Sequence, residues 1–342
     1  MRAGAAAGGE VVIALDVGGT GMKCALVFPD GTTHHTERHD TRAERGPAAV
    51  VESILDVAAG LAARARADGL TPVAAGVAVP GVVDEVTGTA LWSANLGFRD
   101  VPLRHRVTAR LDLPAALGHD VRVGGIAEAR LGAGRGSRHV LFVAIGTGIA
   151  AAHVVDGSAV TGAHGAAGEL GHILVRPGGP RCGCGQLGCL EAVASAAAVG
   201  RRYAALAGTP ATAAEVVARA TDGDEIAGRV WRETIEALAD GLATAQTLYD
   251  TEVMVLGGGL AEAGAALLDP LRAALRHRLT FQREPRLLSA ALGDQAGCLG
   301  AALLALDARP GRATDPAPAV AVRPRPAADP VSDPVLDTLE AS

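Results

Sequence analysis

Val11-Val12-Ile13-Ala14-Leu15-Asp16-Val17-Gly18-Gly19-Thr20-Gly21 joins an apolar run to a glycine-rich turn. A second apolar run extends from Cys24 to Phe28, and Asp30-Gly31 supplies the next turn. Short apolar runs bounded by glycine are typical of β-strands. The segment therefore predicts a strand, a turn and a second strand, with a polar third strand through His39.

The same pattern recurs when Gly19-Thr20-Gly21 is laid on Gly146-Thr147-Gly148. An apolar run from Val140 to Ile145 precedes the second turn, and Ile149 to Val155 runs on to Asp156-Gly157. Two matched units, one domain apart, are typical of a duplicated architecture.

Helical and strand patterns alternate along the rest of the chain, which predicts the α/β class. In chain order they predict a helix from Pro47 to Ala67, strands at Val73 to Val79 and Ala115 to Leu117, helices at about Gly124 to Leu131, Leu190 to Leu206 and Ile226 to Leu248, a strand at Val253 to Leu256 and a helix from about Ala265 to Arg276.

A third glycine-rich turn, Gly257-Gly258-Gly259, follows the last predicted strand. Taken alone it is equally well explained as a tight strand-to-helix turn. Glycine backbones let N–H groups approach phosphate oxygens with no side chain in the way. Three such turns predict an anionic polyphosphate ligand, and none has the Gly-Lys-Ser/Thr or Gly-x-Gly-x-x-Gly pattern of a P-loop or dinucleotide site.

Two aspartates stand at predicted strand ends beside these turns. Asp16 precedes Gly18-Gly19-Thr20 and is a candidate Mg²⁺ ligand, although an aspartate there can also cap a turn. Asp120 follows a strand and precedes a helix, where capping is the simpler role. Phosphoryl transfer to an alcohol benefits from a carboxylate that accepts the hydroxyl proton, and Asp120 is the candidate base.

His172 and three cysteines, Cys182, Cys184 and Cys189, form a candidate zinc site. Simple burial of small residues is the alternative, and a disulfide is disfavoured because three clustered thiols cannot all pair. Three thiolates and an imidazole fill a tetrahedral shell, so the predicted zinc is structural. It would hold Glu169, His172 and Glu191 at fixed positions, as the grip on a polyol such as a sugar requires.

Composition narrows the class of protein. The chain has 342 residues, 49% hydrophobic but only 2% aromatic, and a formal net charge of -6. Without a long uninterrupted apolar run or a basic cluster, we expect no membrane span and no nucleic-acid partner, with the cytoplasm as the default location. Residues 1–10 are expected to be disordered, as is the Pro/Ala-rich tail at 309–342.

At this point the chain resembles the ROK family of bacterial sugar kinases and sugar-responsive repressors, and most closely its glucokinases. The resemblance spans about residues 11 to 307. It rests on Asp16-Val17-Gly18-Gly19-Thr20, Val79-Pro80-Gly81, Asn95-Leu96-Gly97, Gly146-Thr147-Gly148, the segment from Gly165 to His172, the segment from Cys182 to Glu191, and Leu256-Gly257-Gly258-Gly259.

The resemblance implies an actin-like ATPase fold of two ribonuclease-H-like domains that close over ATP, Mg²⁺ and a hexose. The expected domains are 11–122 with about 297–308, and 123–296 with the zinc site. Asp120 would be the catalytic base toward the sugar 6-hydroxyl, the Gly-rich turns would face the nucleotide, and the family commonly forms dimers or tetramers. The residues expected to bind sugar are Asn95, His119, Asp120, Glu169, His172 and Glu191.

One departure from the family pattern bears on specificity. The family usually carries Asn-Asp-Ala-Asn where this chain reads His119-Asp120-Val121-Arg122. An ATP-dependent glucokinase is the leading interpretation. The alternatives are a kinase for N-acetylglucosamine, mannose or fructose, polyphosphate as donor, or a non-catalytic sugar sensor. A DNA-binding repressor is disfavoured because only about ten residues precede the first strand.

Overall fold

The computed structural model describes residues 8–309, so nearly all of the expected disordered start and tail lies outside the described residues. The strands are β1 Glu10–Val17, β2 Gly21–Val27, β3 Thr33–Asp40, β4 Thr71–Val79, β5 Val82–Asp84, β6 Thr89–Ser93, β7 Phe98–Val101, β8 Ala115–His119, β9 His139–Ile145, β10 Ile149–Val155, β11 Ser158–Ala159, β12 Val253–Gly257 and β13 Arg286–Ser289. The α-helices are α1 Pro47–Ala67, α2 Leu103–Leu111, α3 Asp120–Arg130, α4 Leu190–Ala194, α5 Ala196–Ala207, α6 Ala213–Thr221, α7 Glu225–Tyr249, α8 Ala265–Arg276 and α9 Ala296–Asp307.

Two five-stranded sheets share one topology. The first has the order β3-β2-β1-β4-β8 and the second β11-β10-β9-β12-β13. In each, the first two strands of the unit are antiparallel, and the strands that follow on the other side are parallel. The repeated strand order and direction confirm the duplication predicted from the two Gly-Thr-Gly turns, and the α/β class is confirmed with it.

Side-chain alternation in β1 divides the core of the first sheet between its two faces. One set, including Ile13 and Leu15, packs in the cluster that covers α1 and α2. The other set, including Val12 and Ala14, packs with alanines of α9 such as Ala301 and Ala305. Small side chains on both the sheet and the helix allow α9 to lie close to the sheet, which accounts for the alanines of α9.

The second sheet is covered in the same two-sided way. Alternate residues of β9, such as Leu141 and Val143, pack with residues of α7 and α8. On the opposite face of β9, Val140 and Phe142 lie in the cluster that includes Ala129 of α3. Helix α3 therefore covers the second sheet as α9 covers the first.

Helices α3 and α9 cross at very short range. Gly300 of α9 faces the carbonyl oxygen of Val123 in α3 so closely that a Cβ at residue 300 would overlap it. Only glycine fits there without moving a helix. This crossing joins the two sheets through their covering helices.

Two predicted helices differ from the structure at their boundaries. Helix α3 begins at Asp120, not near Gly124, because β8 passes directly into it. The predicted helix from Leu190 to Leu206 is interrupted at Ser195, which is extended at φ -67° and ψ 157° and accepts a hydrogen bond from the Ala198 N–H. A capping serine therefore ends α4 and starts α5.

No helix within residues 8–309 combines the length and the apolar character that a bilayer crossing needs.

Replacement of a glycine by alanine should destabilise the protein at the α3–α9 crossing and stabilise it at an exposed position of another helix. Gly300→Ala should destabilise the fold by about 1–3 kcal/mol, because the added methyl overpacks the contact with Val123. Gly60→Ala, in α1, should stabilise by roughly 0.5–1 kcal/mol, because nothing lies within 4 Å of the new methyl. Urea unfolding of both variants tests this, and a neutral or stabilising Gly300→Ala would contradict the crossing.

Candidate functional site

A cavity of about 660 Å³ opens where the two sheets meet α3 and α9. Its walls come from the ends of β1 and β12, the first turn of α3, the segment after β13 and the start of α9. The polar and glycine residues on these walls are Asp16, Lys23, Asp120, Gly124, Gly257, Gly258, Gly259, Glu262, Gly264, Ser289, Gly293, Asp294 and Gly297.

Asp16 lies on the α9 side of the first sheet, as alternation with Val12 and Ala14 requires. A Cβ on Gly297 would clash with its carboxylate, so the start of α9 sits directly against it. Burial is the main reason that the pKa of Asp16 rises from 3.8 to about 6. The carboxylates of Asp120 and Asp294 raise it too, and Lys23 opposes them.

Lys23 and Asp294 are cavity residues that the sequence did not single out. Lys23 Nζ donates to Asp294 Oδ1 at 3.2 Å, and Arg38 Nη2 donates to Asp294 Oδ2 at 2.7 Å. These cations hold the pKa of Asp294 below its usual range. The only sequence signal was Lys23 within an otherwise apolar strand.

Asp120 is the first residue of α3, and one of its carboxylate oxygens is already engaged. Oδ1 accepts the backbone N–H of Val121 at 2.7 Å and lies 3.3 Å from His119 Nε2. His119 is 7% exposed, and its Nδ1 is buried without a hydrogen-bond partner in the part of the chain described. Burial lowers the pKa of His119, with Asp120 opposing and Arg122 adding to the shift.

Of the three predicted glycine turns, one lines this cavity, and the residues of the other two are not among its lining residues. Gly257, Gly258 and Gly259 line it directly. A Cβ on Gly19 would lie 3.1 Å from Asn95, so the turn at Gly18, Gly19 and Thr20 lies beside that residue. The turn at Gly146, Thr147 and Gly148 lies beside Glu191, whose Oε2 accepts the Ile149 N–H at 2.9 Å.

The four predicted zinc ligands converge in one place. The ligand atoms of His172, Cys182, Cys184 and Cys189 all lie within 4.8 Å of one another. Cys184 Sγ lies 3.7 Å from Cys189 Sγ, and His172 Nδ1 lies 3.6 Å from Cys182 Sγ. A tetrahedral ion with Zn–S bonds of about 2.3 Å would have edges of about 3.6–3.8 Å, so this donor set fits Zn²⁺.

Three of the candidate sugar residues, Glu169, His172 and Glu191, lie at or beside this cluster. His172 directs Nδ1 to Cys182, while its Nε2 lies 3.7 Å from Glu169 Oε2. Glu191 is the second residue of α4 and places Oε1 at 3.9 Å from Cys182 Sγ. The Glu169 carboxylate also favours the charged form of His119, the residue before Asp120, and so opposes the lowering of the His119 pKa by burial.

Arg122 and Glu85 form an ion pair that was not predicted, in which the arginine is buried and the glutamate is partly exposed. Arg122 is 2% exposed, and its Nε donates to Glu85 Oε1 at 2.8 Å. In the sequence, Arg122 stood out only as a departure from a family pattern. Its partner lies 37 positions away, and no local signal connects the two residues.

Comparison with known proteins gives consistent matches over most of the chain. A glucokinase of Thermotoga maritima is 33% identical over 312 residues, 85% of this chain and 96% of the relative. An N-acetylmannosamine kinase of Escherichia coli O139:H28 is 34% identical over 301 residues, 86% and 97% of the two chains. The crystal structure of a ROK family glucokinase from Streptomyces griseus, in complex with glucose and AMPPNP, is 30% identical with a TM-score of 0.72 and covers 87% of this chain and 99% of its own.

These matches confirm both the resemblance carried by the motifs and the actin-like fold that it implied. The ROK family model itself matches residues 12–308, nearly all of the described chain. The chain belongs to the ROK family.

Proposed function

We propose that this protein is an ATP-dependent glucokinase that converts ATP and D-glucose to ADP and glucose 6-phosphate. The observation that carries the proposal is that Asp120 lies on the wall of the same cavity as Asp16 and Gly257–Gly259. A candidate base, a candidate cation ligand and a glycine turn that can contact phosphate thus line one cavity. The glucokinase relatives support the choice of reaction.

The nucleotide would occupy the cavity with its phosphates toward Gly257, Gly258 and Gly259. Glycine backbones there expose N–H groups to phosphate oxygens. Asp16, with Asp120 and Asp294 nearby, gives the oxygen-rich and negatively charged setting that suits Mg²⁺. When bound, Mg²⁺ would neutralise phosphate charge, and Lys23 supplies a fixed positive charge on the same wall.

Asp120 would act through its second carboxylate oxygen. Because Oδ1 accepts the Val121 N–H and faces His119 Nε2, Oδ2 is the oxygen available to a substrate hydroxyl. It accepts the proton as the sugar oxygen bonds to the γ-phosphorus, while the bond from that phosphorus to the β-phosphate oxygen breaks and ADP leaves. Asn95, His119, Glu169, His172 and Glu191 are the proposed contacts to the other hydroxyls.

Zinc would have a supporting role in this site. The Cys₃His set leaves no open position for water or substrate, so the ion supplies rigidity and no chemistry of its own. His172 would hold zinc through Nδ1, the ring nitrogen that faces Cys182, which would leave Nε2 for a sugar hydroxyl and keep the ring in one orientation.

N-acetylmannosamine is a second candidate substrate. The relative with that activity is 34% identical to this chain. His119, where the family usually has asparagine, changes the polar group next to the base, and such changes alter which sugar is preferred. Assembly as a dimer or tetramer and a cytoplasmic location remain predictions.

A coupled ADP-release assay with Mg-ATP tests the proposal. The panel is glucose, N-acetylmannosamine, N-acetylglucosamine, mannose and fructose. Glucose should give the highest kcat/KM. Higher kcat/KM for N-acetylmannosamine would select the second candidate, and no turnover with any sugar by folded, zinc-loaded protein would contradict a kinase.

Asp120→Asn should lower kcat about 10²- to 10⁴-fold, because the amide cannot take the hydroxyl proton. The amide oxygen can still accept the Val121 N–H, so glucose binding measured by calorimetry should change little. Near-normal turnover in this variant would mean that Asp120 is not the base.

Asp16 should make the stability of the metal-free protein pH-dependent. Its folded pKa of about 6 exceeds its ordinary value of 3.8, so ionisation costs more in the folded chain. Stability is then lost as pH rises through this window and is restored below it. With chelator, Asp16→Asn should melt higher than the wild type at neutral pH, with the gap closing in acid.

Mg²⁺ should raise the melting temperature of the wild type at neutral pH and leave Asp16→Asn unchanged. Asp294→Asn is the matched control for the stability of the metal-free protein. The pKa of Asp294 is shifted downward, so its loss should lower the melting temperature at neutral pH, whereas the loss of Asp16 should raise it. Equal melting curves for the wild type and Asp16→Asn at every pH would rule out this account.

Cys184→Ser should abolish the binding of one zinc ion per chain, which metal analysis measures. The loss of zinc should weaken glucose binding more than nucleotide binding. Cys24→Ser is the control, since Cys24 lies buried in the first sheet and should leave the zinc content unchanged. Normal glucose affinity in zinc-free, folded protein would refute the supporting role of the metal.

A further inference from the structure

Arg122 joins three separate parts of the chain beside the candidate base. It lies in the first turn of α3, two residues after Asp120. Its Nε donates to Glu85 Oε1 at 2.8 Å, and its Nη1 donates to the carbonyl oxygen of Gly165 at 3.0 Å. A buried arginine is retained at low cost only where such partners are in place.

Glu85 fixes the arginine from the side of the first sheet. It follows β5, and the same Oε1 also accepts the backbone N–H of His119 at 3.4 Å. One carboxylate oxygen therefore receives both the guanidinium and the residue that precedes Asp120. This arrangement ties the turn after β5 to the start of α3.

Gly165 belongs to the segment from residue 161 to Glu169, which carries a candidate sugar ligand. It has a φ of +72°, and a Cβ there would lie 2.5 Å from the carbonyl oxygen of Val83 in β5. Further along, the carbonyl of Gly168 accepts the Ala151 N–H of β10 at 2.7 Å. The segment is thus held at Gly168 by the second sheet and at Gly165 by Arg122.

We propose that Arg122, held by Glu85, positions the 161–169 segment so that Glu169 faces the sugar, and that Arg122 thereby sets sugar affinity without setting nucleotide affinity. This inference rests on the proposed function and adds a positioning residue to it. Arg122 Nη2 is buried and has no acceptor in the described part of the chain. Nη2 is therefore the guanidinium nitrogen that is left for an additional acceptor.

Arg130 provides a matched control on the same helix. Its Nε donates to the carbonyl of Gly157 at 2.7 Å, and its Nη2 lies 2.7 Å from Asp307 Oδ2. It makes the same two kinds of contact at the far end of α3 from Asp120. The loss of an arginine that contacts one carbonyl and one carboxylate can thus be compared at the two ends of the same helix.

The test compares Arg122→Gln, Glu85→Gln, the double variant and Arg130→Gln. Measurements are kcat, KM for glucose and for ATP, glucose binding by calorimetry, and melting temperature. Arg122→Gln should raise the glucose KM and dissociation constant about 10- to 100-fold while the ATP KM changes little, because a displaced ligand segment misaligns the sugar. Arg130→Gln should leave both KM values unchanged.

The double variant separates positioning from simple stability. Removing both members leaves no unpaired buried charge, so its melting temperature should recover relative to either single variant. Its glucose KM should stay high, because the segment is still not held. Arg122→Lys should also stay defective, since an ammonium lacks the fixed planar fork that directs Nε to Glu85 and Nη1 to the Gly165 carbonyl.

Recovery of both melting temperature and glucose KM in the double variant would reduce the pair to a structural role and overturn the inference. So would an equal rise in the ATP KM of Arg122→Gln. Absence of turnover in the wild type would instead contradict the proposed function, and calorimetry with glucose would still read the effect of Arg122. Absence of glucose binding by the wild type would overturn both.

Discussion

The close crossing of α3 and α9 is the constraint on which the site depends. Each helix covers one sheet, and the contact between Gly300 and Val123 leaves no room for a side chain. Both helices begin at the cavity, one at Asp120 and the other beside Asp16. Packing of alanine and glycine thus fixes the distance between the candidate base and the candidate cation ligand.

Negative charge is concentrated in the cavity beside this crossing, and it lowers the stability of the protein when no ligand is bound. Four carboxylates, those of Asp16, Asp120, Glu262 and Asp294, share the cavity with Lys23. The raised pKa of Asp16 records that cost, because burial and like charges disfavour its ionised form. A divalent cation and a polyphosphate would relieve the repulsion. The stability of the ligand-free protein and ligand binding are therefore linked through the same carboxylates.

Sequence reasoning reached features encoded locally. The paired Gly-Thr-Gly turns gave the duplicated sheets, and the spacing of Cys182, Cys184 and Cys189 gave the convergent cluster. Such signals are short-range, since turn glycines and clustered ligands act within a few residues of one another.

Long-range pairings escaped the sequence for a physical reason. The partners of Lys23 and Arg122 are Asp294 and Glu85, far away along the chain, and they meet only because the sheets and helices pack. The break at Ser195 was missed because alanine-rich sequence on both sides favours a continuous helix, whereas the capping hydroxyl and the Ala196 N–H to Gly146 contact favour a restart. Tertiary contacts decided both cases.

The central claim is that this cavity directs the γ-phosphoryl group of ATP to the sugar hydroxyl beside Asp120. Phosphorus NMR of a reaction containing protein, Mg-ATP and glucose tests it most directly. The account predicts ADP and a single phosphate ester at the sugar 6-position in equal amounts, with little inorganic phosphate. ADP accompanied by inorganic phosphate and no sugar ester, or an ester at another position, would contradict it.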